Sequence, residues 1–203
     1  MKILFISLGI ILLAFIILQL FAMNGQKNIE TYPYLVVKKY DTFEIRNYEA
    51  SLFTSVKLPV KAYKEASGKG FSILAGYIFG GNETNEKISM TSPVSMSLED
   101  SMTMMFLVPK KYSKESLPQP NQEQIEFREE PAKTVAAIRF GGWADDEKIA
   151  SYQEKLKAAL TAEGISYTKH FYFLGYNAPY EFFNRKNEVI VELEPEALKS
   201  IKK

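Results

Sequence analysis

Residues 43–56, FEIRNYEASLFTSV, align without a gap on residues 125–138, IEFREEPAKTVAAI, at a shift of 82 positions. Glu44 falls on Glu126, Arg46 on Arg128 and Ala50 on Ala132. Phe43, Ile45, Phe53 and Val56 fall on the apolar Ile125, Phe127, Val135 and Ile138. The same shift lays residues 63–81 on 145–163 and residues 105–108 on 187–190. Identities are few, so the matching order of elements carries most of the weight. It predicts a strand-strand-helix-strand-strand unit present twice. Two such halves related by a pseudo-two-fold axis join into one antiparallel sheet, curved or barrel-like, with two helices packed on it, an α+β fold. Two helices set symmetrically on a curved sheet leave a groove, a common place for a ligand.

The elements follow from periodicity and breakers. YLVVKKYDTFEIRNY holds two β-rich runs split at Asp41-Thr42, and SLFTSVKL is a third. KAYKEASGKGFSILAGYIFG places Tyr63, Phe71, Leu74 and Ile78 on one helical face, weakened by Gly68, Gly70 and Gly76. Gly80 and Gly81 end that helix. SPVSMSL and MTMMFLVP form a hairpin about Glu99-Asp100-Ser101, and KKYSKESLPQPNQEQ is a connector. QIEFREE and KTVAAIRF are strands around Pro131-Ala132. DDEKIASYQEKLKAALTAEG is the clearest helix, with Asp145 as N-cap and Gly164 as its stop. KHFYFLGYN and NEVIVEL are the closing strands.

The first residues are a separate object. From Ile3 to Met23 run 21 residues without a charge, interrupted only by Ser7, Gly9 and Gln19. A bilayer core is spanned by ~20 apolar residues, whereas a cleaved signal has an apolar region of ~7–15. Leu20-Phe21-Ala22 is a poor cleavage site. Residues 1–23 are therefore expected to be an uncleaved signal anchor, a transmembrane helix, and residues 24–31 a linker. Residues 32–194 form the folded domain and 195–203 a C-terminal tail. Lysines flank both sides of the span, so the charge rule gives no orientation. An N-terminal anchor commonly delivers its domain outward, which makes the extracytoplasmic side the expectation.

Composition removes whole classes of function. Of 203 residues, 25 are Lys or Arg and 24 Asp or Glu, which gives no electrostatic footprint for nucleic acid. There is no cysteine, hence no disulfide, thiolate metal site or cysteine nucleophile. The only histidine is His170, too few for a histidine-rich metal site. No G-x-S-x-G, H-E-x-x-H or P-loop sequence is present. Glu83, Glu86, Glu129 and Glu130 read as surface charges, and no enzymatic activity is expected.

Four stretches resemble the SOUL haem-binding protein family: YPYLVVKKYDTFEIRNY, GFSILAGYIFGGNETNEKISMTSPVSM, FLVPKKYS and YNAPYEFFNRKNEVIVEL. The most specific pieces are Tyr77-Ile78-x-Gly80 followed by Ile88-x-Met90-Thr91-x-Pro93-Val94, and Arg185-Lys186-Asn187-Glu188-Val189. The resemblance runs from about Tyr32 to Leu193. It implies a distorted antiparallel β-barrel with two helices, and non-covalent binding of haem or a related tetrapyrrole in an apolar groove beside the first helix.

On that resemblance the groove is expected to hold Phe71, Leu74 and Ile78. Ile88 and Met90 return along its wall, and Tyr176 and Tyr180 lie on a loop against the macrocycle. Arg185 and Lys186, with Lys64 and Lys69 from the helix side, would meet the propionates. Each has a blander role: the methionine as core filler, the aromatics as a small satellite core, the cations as solvated charges. His170 lies far along the chain from the groove elements and reads as a surface or structural residue. The thioethers of Met90, Met96, Met102, Met104 and Met105 are soft donors but suit strand packing better. Haem would thus be held by burial and charge pairing without a strong axial protein ligand. The function expected is a membrane-anchored, monomeric tetrapyrrole binder that carries, buffers or hands over its ligand. The alternative is a ligand-binding or protein-interaction module of the same fold that does not bind haem physiologically.

The apolar run carries its own test. The full chain should remain in the membrane pellet after a carbonate wash, and a chain starting near Asn28 should be soluble. Recovery of soluble protein lacking about 22 residues would make the span of ~20 residues a cleaved signal.

Overall fold

A computed structural model describes residues 29–99 and 101–197, together with residues 5, 7, 9, 10, 12, 13 and 19. Most of the expected anchor, residues 1–23, and residues 24–28 of the linker lie outside the described residues, as do residues 198–203. Among the described residues no helix is long and apolar enough to cross a membrane.

The β-branched and aromatic runs become strands, and the two helical patterns become helices. In order they are β1 (Tyr34–Lys39), β2 (Glu44–Tyr48), β3 (Ser51–Leu58), α1 (Tyr63–Ile78), β4 (Val94–Ser97), β5 (Met102–Leu107), β6 (Ile125–Glu130), β7 (Lys133–Gly141), α2 (Asp146–Ala162), β8 (Tyr167–Gly175) and β9 (Lys186–Leu193). After β1 the series is strand-strand-helix-strand-strand, twice. All nine strands form one sheet in the order β1-β2-β7-β9-β8-β4-β5-β3-β6. Every pairing is antiparallel. Leaving β1 aside, β2-β7-β9-β8 on one side answers β6-β3-β5-β4 on the other, and the seam is the β8–β4 pair.

Period-two alternation divides the side chains between two faces. On one face, Ala136, Ile138, Phe171, Phe173, Val189 and Val191 pack under α2 with Leu156 and Leu160. Val56, Leu58, Met96, Met104 and Phe106 pack under α1 with Leu74 and Ile78. On the other face, Phe53, Met105, Val135, Ala137, Tyr172, Leu174 and Ile190 meet one another. The sheet is curled into a half-barrel whose inner face is filled by its own side chains. The α2-side core also takes in Ala197, beyond the expected end of the domain.

That inner face carries charge. Glu188 on β9 has no exposed surface, and Arg46 on β2 meets it with two parallel bonds, Nη1 to Oε2 at 2.8 Å and Nη2 to Oε1 at 3.1 Å. The Tyr176 hydroxyl donates to Oε2 at 2.7 Å, and Lys186 Nζ lies 3.2 Å from Oε1. The pair bridges β2 and β9 across the intervening β7. A second group joins Lys133 to Glu130 and Glu192 at 2.7 and 2.9 Å.

The helices are tied together at their starts. Asp145 caps α2 by accepting from Lys148 N at 2.8 Å. The residue before α1 is Ala62, which offers no side-chain cap. The cap comes instead from the next residue of α2: the Asp146 carboxylate accepts from Tyr63 N, and from Lys64 N at 3.2 Å. At the far end of α1, Gly80 takes φ 111°, and a Cβ on Gly81 would stand 2.7 Å from Gly76 O. Gly164, at φ 66°, closes α2.

Burial pushes the Glu188 carboxyl up, but Arg46, Lys186 and Tyr176 together outweigh it and hold it below the ordinary carboxylate range. With the folded value depressed, its stabilisation is complete above the unfolded pKa of ~4.3 and is lost as pH falls through the folded value. Arg46→Ala should cost about 3–5 kcal/mol in urea unfolding at neutral pH. The acid limb should be shallower in that variant, because the carboxylate no longer gains from its partner. A loss below about 1 kcal/mol would remove the pair from this central role.

Candidate functional site

A cavity of about 620 Å³ lies over the β8–β4 seam, between α1 and two connections. Its α1 wall is Ser67, Gly68, Phe71, Ser72, Ala75, Gly76 and Phe79. These recur as adjacent pairs every four residues, which puts them on one face of a helix. That face carries small residues down its length, with Phe71 within it and Phe79 just past its end. A Cβ built on Gly68 would have nothing within 4 Å. The floor is Val94 and Met96 of β4, Met104 of β5, and Phe173 and Gly175 of β8. Tyr63 meets Phe173 edge-on, with centroids 4.9 Å apart.

The third wall is built from the β7–α2 connection, the β8–β9 connection and the start of β9: Trp143 and Ala144 from the first, Asn177, Pro179 and Arg185 from the second, and Asn187 from the strand. Polar side chains staple them. Arg185 Nη1 donates to Ala178 O at 3.0 Å and Glu181 O at 2.6 Å, while its guanidinium lies 3.9 Å from the Trp143 ring centroid. Asn177 Oδ1 accepts from Lys186 N at 2.6 Å, and its Nδ2 donates to Glu181 Oε2 at 2.6 Å. Asn187 Nδ2 donates to Gly142 O at 2.8 Å, joining the start of β9 to the β7–α2 connection. Burial draws the Arg185 pKa down, against the pull of Tyr63 and Glu181. Among the described residues that line the cavity, Arg185 alone is charged.

The residues expected at the site divide. Phe71 and Arg185 line the cavity. Leu74 and Ile78 do not: α1 turns them into the core it shares with the sheet, the larger apolar surface available to it. Ile88 lies in the same core, its N–H donating to Ile78 O at 2.8 Å, and Met90 packs half-buried against it. Residues 80–93 therefore take no part in the lining, which the chain rejoins at Val94. The buried Asn82 side chain bonds Tyr77 O, Glu86 O and Glu86 N, turning the chain back beneath the end of α1.

Tyr176 and Lys186 fall on the opposite, inner face of the sheet, with Lys186 Nζ 3.7 Å from the Tyr176 ring centroid. Burial and the neighbouring Glu188 push the Tyr176 hydroxyl well above its usual pKa. Burial likewise lowers Lys186, although Glu188 opposes it. Tyr180 is exposed outside the lining, and Lys64 and Lys69 are exposed on α1, also outside it. His170 is a surface residue whose Nδ1 lies 2.8 Å from Glu99 Oε1.

Sequence reasoning missed Trp143, Phe79, Asn187 and the small-residue stripe of α1, and treated Met96 and Met104 as packing. The signal was present in SGKGFSILAGYIF. Ser67, Gly68, Ser72 and Gly76 mark the cavity face, whereas Gly70 faces the sheet, where a Cβ would stand 2.9 Å from Leu58. Among the described residues no group of three His, Asp or Glu is placed to hold a metal ion.

The family model described as "SOUL heme-binding protein" matches residues 29–192. The chain is 30% identical over 156 residues to "Heme-binding protein 1" of Xenopus laevis, covering 72% of this chain and 81% of that protein. It is 28% identical over 157 residues to "Heme-binding protein 2" of Homo sapiens, covering 73% of this chain and 76% of that protein. Among solved structures, the EcmrR C-terminal domain superposes with a TM-score of 0.60 at 12% identity, over 79% of this chain and 98% of that one. That likeness is one of fold.

Arg185 organises the third wall, and its removal is measurable without any ligand. A hydrogen bond from a charged group contributes about 1.5–3 kcal/mol, so in Arg185→Ala the Glu181 amide should exchange with deuterium roughly 10–100-fold faster. Arg185→Lys should restore little of this, since an ammonium cannot span two carbonyls and stack on Trp143. Unchanged exchange would show that the loop holds without the guanidinium.

Proposed function

The chain belongs to the SOUL haem-binding protein family, and from that premise we propose that it holds haem or a related tetrapyrrole in the cavity over the β8–β4 seam. The observation that carries this reading is the small-residue face of α1 that lines one cavity with Trp143 and Pro179. A row of Gly, Ser and Ala leaves room for a planar molecule, and Phe71, Phe79 and Trp143 offer aromatic surface against it. The volume, about 620 Å³, falls within the range of ~300–1,000 Å³ usual for small-molecule and cofactor sites. Burial of apolar surface contributes roughly 25 cal/mol per Å², enough to retain a macrocycle without a bond to its metal.

The donors available suit non-covalent retention. When bound, the tetrapyrrole supplies a large apolar plane, a metal centre and acidic side groups. Met96 and Met104 bring thioethers to the lining, weak donors beside an imidazole or thiolate. Arg185 gives the lining its positive charge, and Lys64 and Lys69 add theirs from the exposed side of α1. The role that fits is carriage, buffering or handover rather than catalysis, with residues 3–23 anchoring the chain in a membrane and the domain on the extracytoplasmic side as a monomer. The answering strand order on either side of the seam supports reading the two halves as copies of one unit, with the cavity where they meet. One observation favours the second reading, a different flat apolar ligand. Nη1 and Nη2 of Arg185 already donate to the carbonyls of Ala178, Glu181 and Asn177 rather than facing an acid.

The test is a Soret titration of the purified chain with haem. Ser72→Trp, which fills the cavity from an exposed helix position, should weaken binding at least tenfold, about 1.4 kcal/mol. His170→Ala should leave both affinity and band position unchanged. Absence of a Soret shift with excess haem would sink the tetrapyrrole reading. Loss of binding in His170→Ala would put the ligand elsewhere.

A further inference from the structure

Surface loops in water turn charge outward and keep large aromatics in. Residues 179–184, PYEFFN, do the reverse. The carboxylate of Glu181 is buried, accepting from Asn177 Nδ2 at 2.6 Å and Ala178 N at 3.4 Å. Around it Tyr180, Phe182 and Phe183 are exposed. So are Trp143 and Phe79, which line the cavity on its two sides, and all five are 50–64% exposed. Trp143 and Phe182 are in edge contact, with centroids 5.9 Å apart. The loop has thus withdrawn its one acid and presents an aromatic rim at the cavity mouth.

A second, separate observation comes from the other end of the chain. Gln19 belongs to the 21-residue uncharged run Ile3–Met23. Its Nε2 donates to Tyr180 O at 3.0 Å, and its Oε1 accepts from Phe182 N at 3.3 Å. Only 5% of its surface is exposed. Near its C-terminal end, the apolar run therefore touches the fold at the aromatic loop.

We propose that this rim is a lipid-docking surface: Tyr180, Phe182, Phe183 and Trp143 seat in the interface of the bilayer that residues 3–23 enter, so that the cavity mouth faces lipid. Tyr and Trp favour the headgroup level, where a ring finds apolar surroundings and its polar atom finds water. A carboxylate on such a face would be costly, and Glu181 is turned away from it. The contact at Gln19 places rim and apolar run side by side, so the bilayer that takes one is within reach of the other. The cavity would then exchange flat apolar molecules that partition into lipid without passing them through water. The inference rests on the anchoring reading above, and it stands whichever flat ligand the cavity takes.

Trp143 is the only tryptophan in the chain, so its emission reports on the rim alone. The full chain is reconstituted in phosphatidylcholine vesicles with and without bromine on the acyl chains. The expected result is at least twofold stronger quenching in brominated vesicles, with emission shifted to the blue. Phe182→Ser combined with Phe183→Ser should lose more than half of that quenching while the chain still floats with the vesicles. An unchanged haem titration of the same variant in detergent shows that the fold and cavity are intact. Equal Trp143 emission in both vesicle types overturns the proposal, as does a chain that does not float, or full quenching retained in the double variant. A failed haem titration alone removes the tetrapyrrole reading and leaves the quenching result standing.

Discussion

A carboxylate with no access to water stands only where cations and donors stand with it. Glu188 is such a group, and the arrangement around it fixes more than the strand that carries it. Strand side chains alternate between faces, so a β9 register that sets Glu188 and Lys186 on the inner face sets Asn187 and Arg185 on the other. There Asn187 reaches Gly142, and Arg185 lies over Trp143. A slip of one residue would bring Asn187 to Arg46 and strip the cavity of its third wall. The buried pair and the candidate site are thus two readings of one register.

The cavity follows from a division of labour on α1. Its large apolar residues, Leu74 and Ile78, go to the core, where burial stabilises the fold most. The face left over carries Gly68, Ser72, Ala75 and Gly76, too small to fill the space above the seam. The glycines and the serine among them weaken the isolated helix. Asp146 compensates by capping the start of α1 from the first turn of α2. A helix with poor intrinsic propensity and a borrowed cap is what a surface that must stay open requires.

Much of this was legible in the sequence. Strands and helices show as periods of two and 3.6, and the matched order at a shift of 82 residues anticipated a single antiparallel sheet with two helices. The site was less so. Phe71, expected at the groove from the family resemblance, lines the cavity while its ring also lies 5.4 Å from that of Phe106. Leu74, Ile78 and Ile88 were misplaced, because hydrophobicity alone does not tell a core face from a cavity face. Tyr176 and Lys186 were misplaced by parity: a loop intervenes between β8 and β9, and one residue more or less decides which side of the sheet each sees. Trp143, on a short connection without periodicity, gave no local signal. Its role depends on Arg185, 42 positions away.

The sheet order has a further consequence, for synthesis. β2 lies against β7 rather than β3, and β3 lies against β6 as well as β5. Neither half of the chain can complete its own sheet. Arg46 leaves the ribosome 142 residues ahead of Glu188. At ~5–20 residues per second that is an interval of about 7–28 s. During it Arg46 has its neighbour Glu44 but lacks the buried carboxylate it meets in the finished fold. Contacts this distant in sequence also form slowly once both partners exist. The nascent chain is consequently without its final architecture until β9, the last strand, has been made.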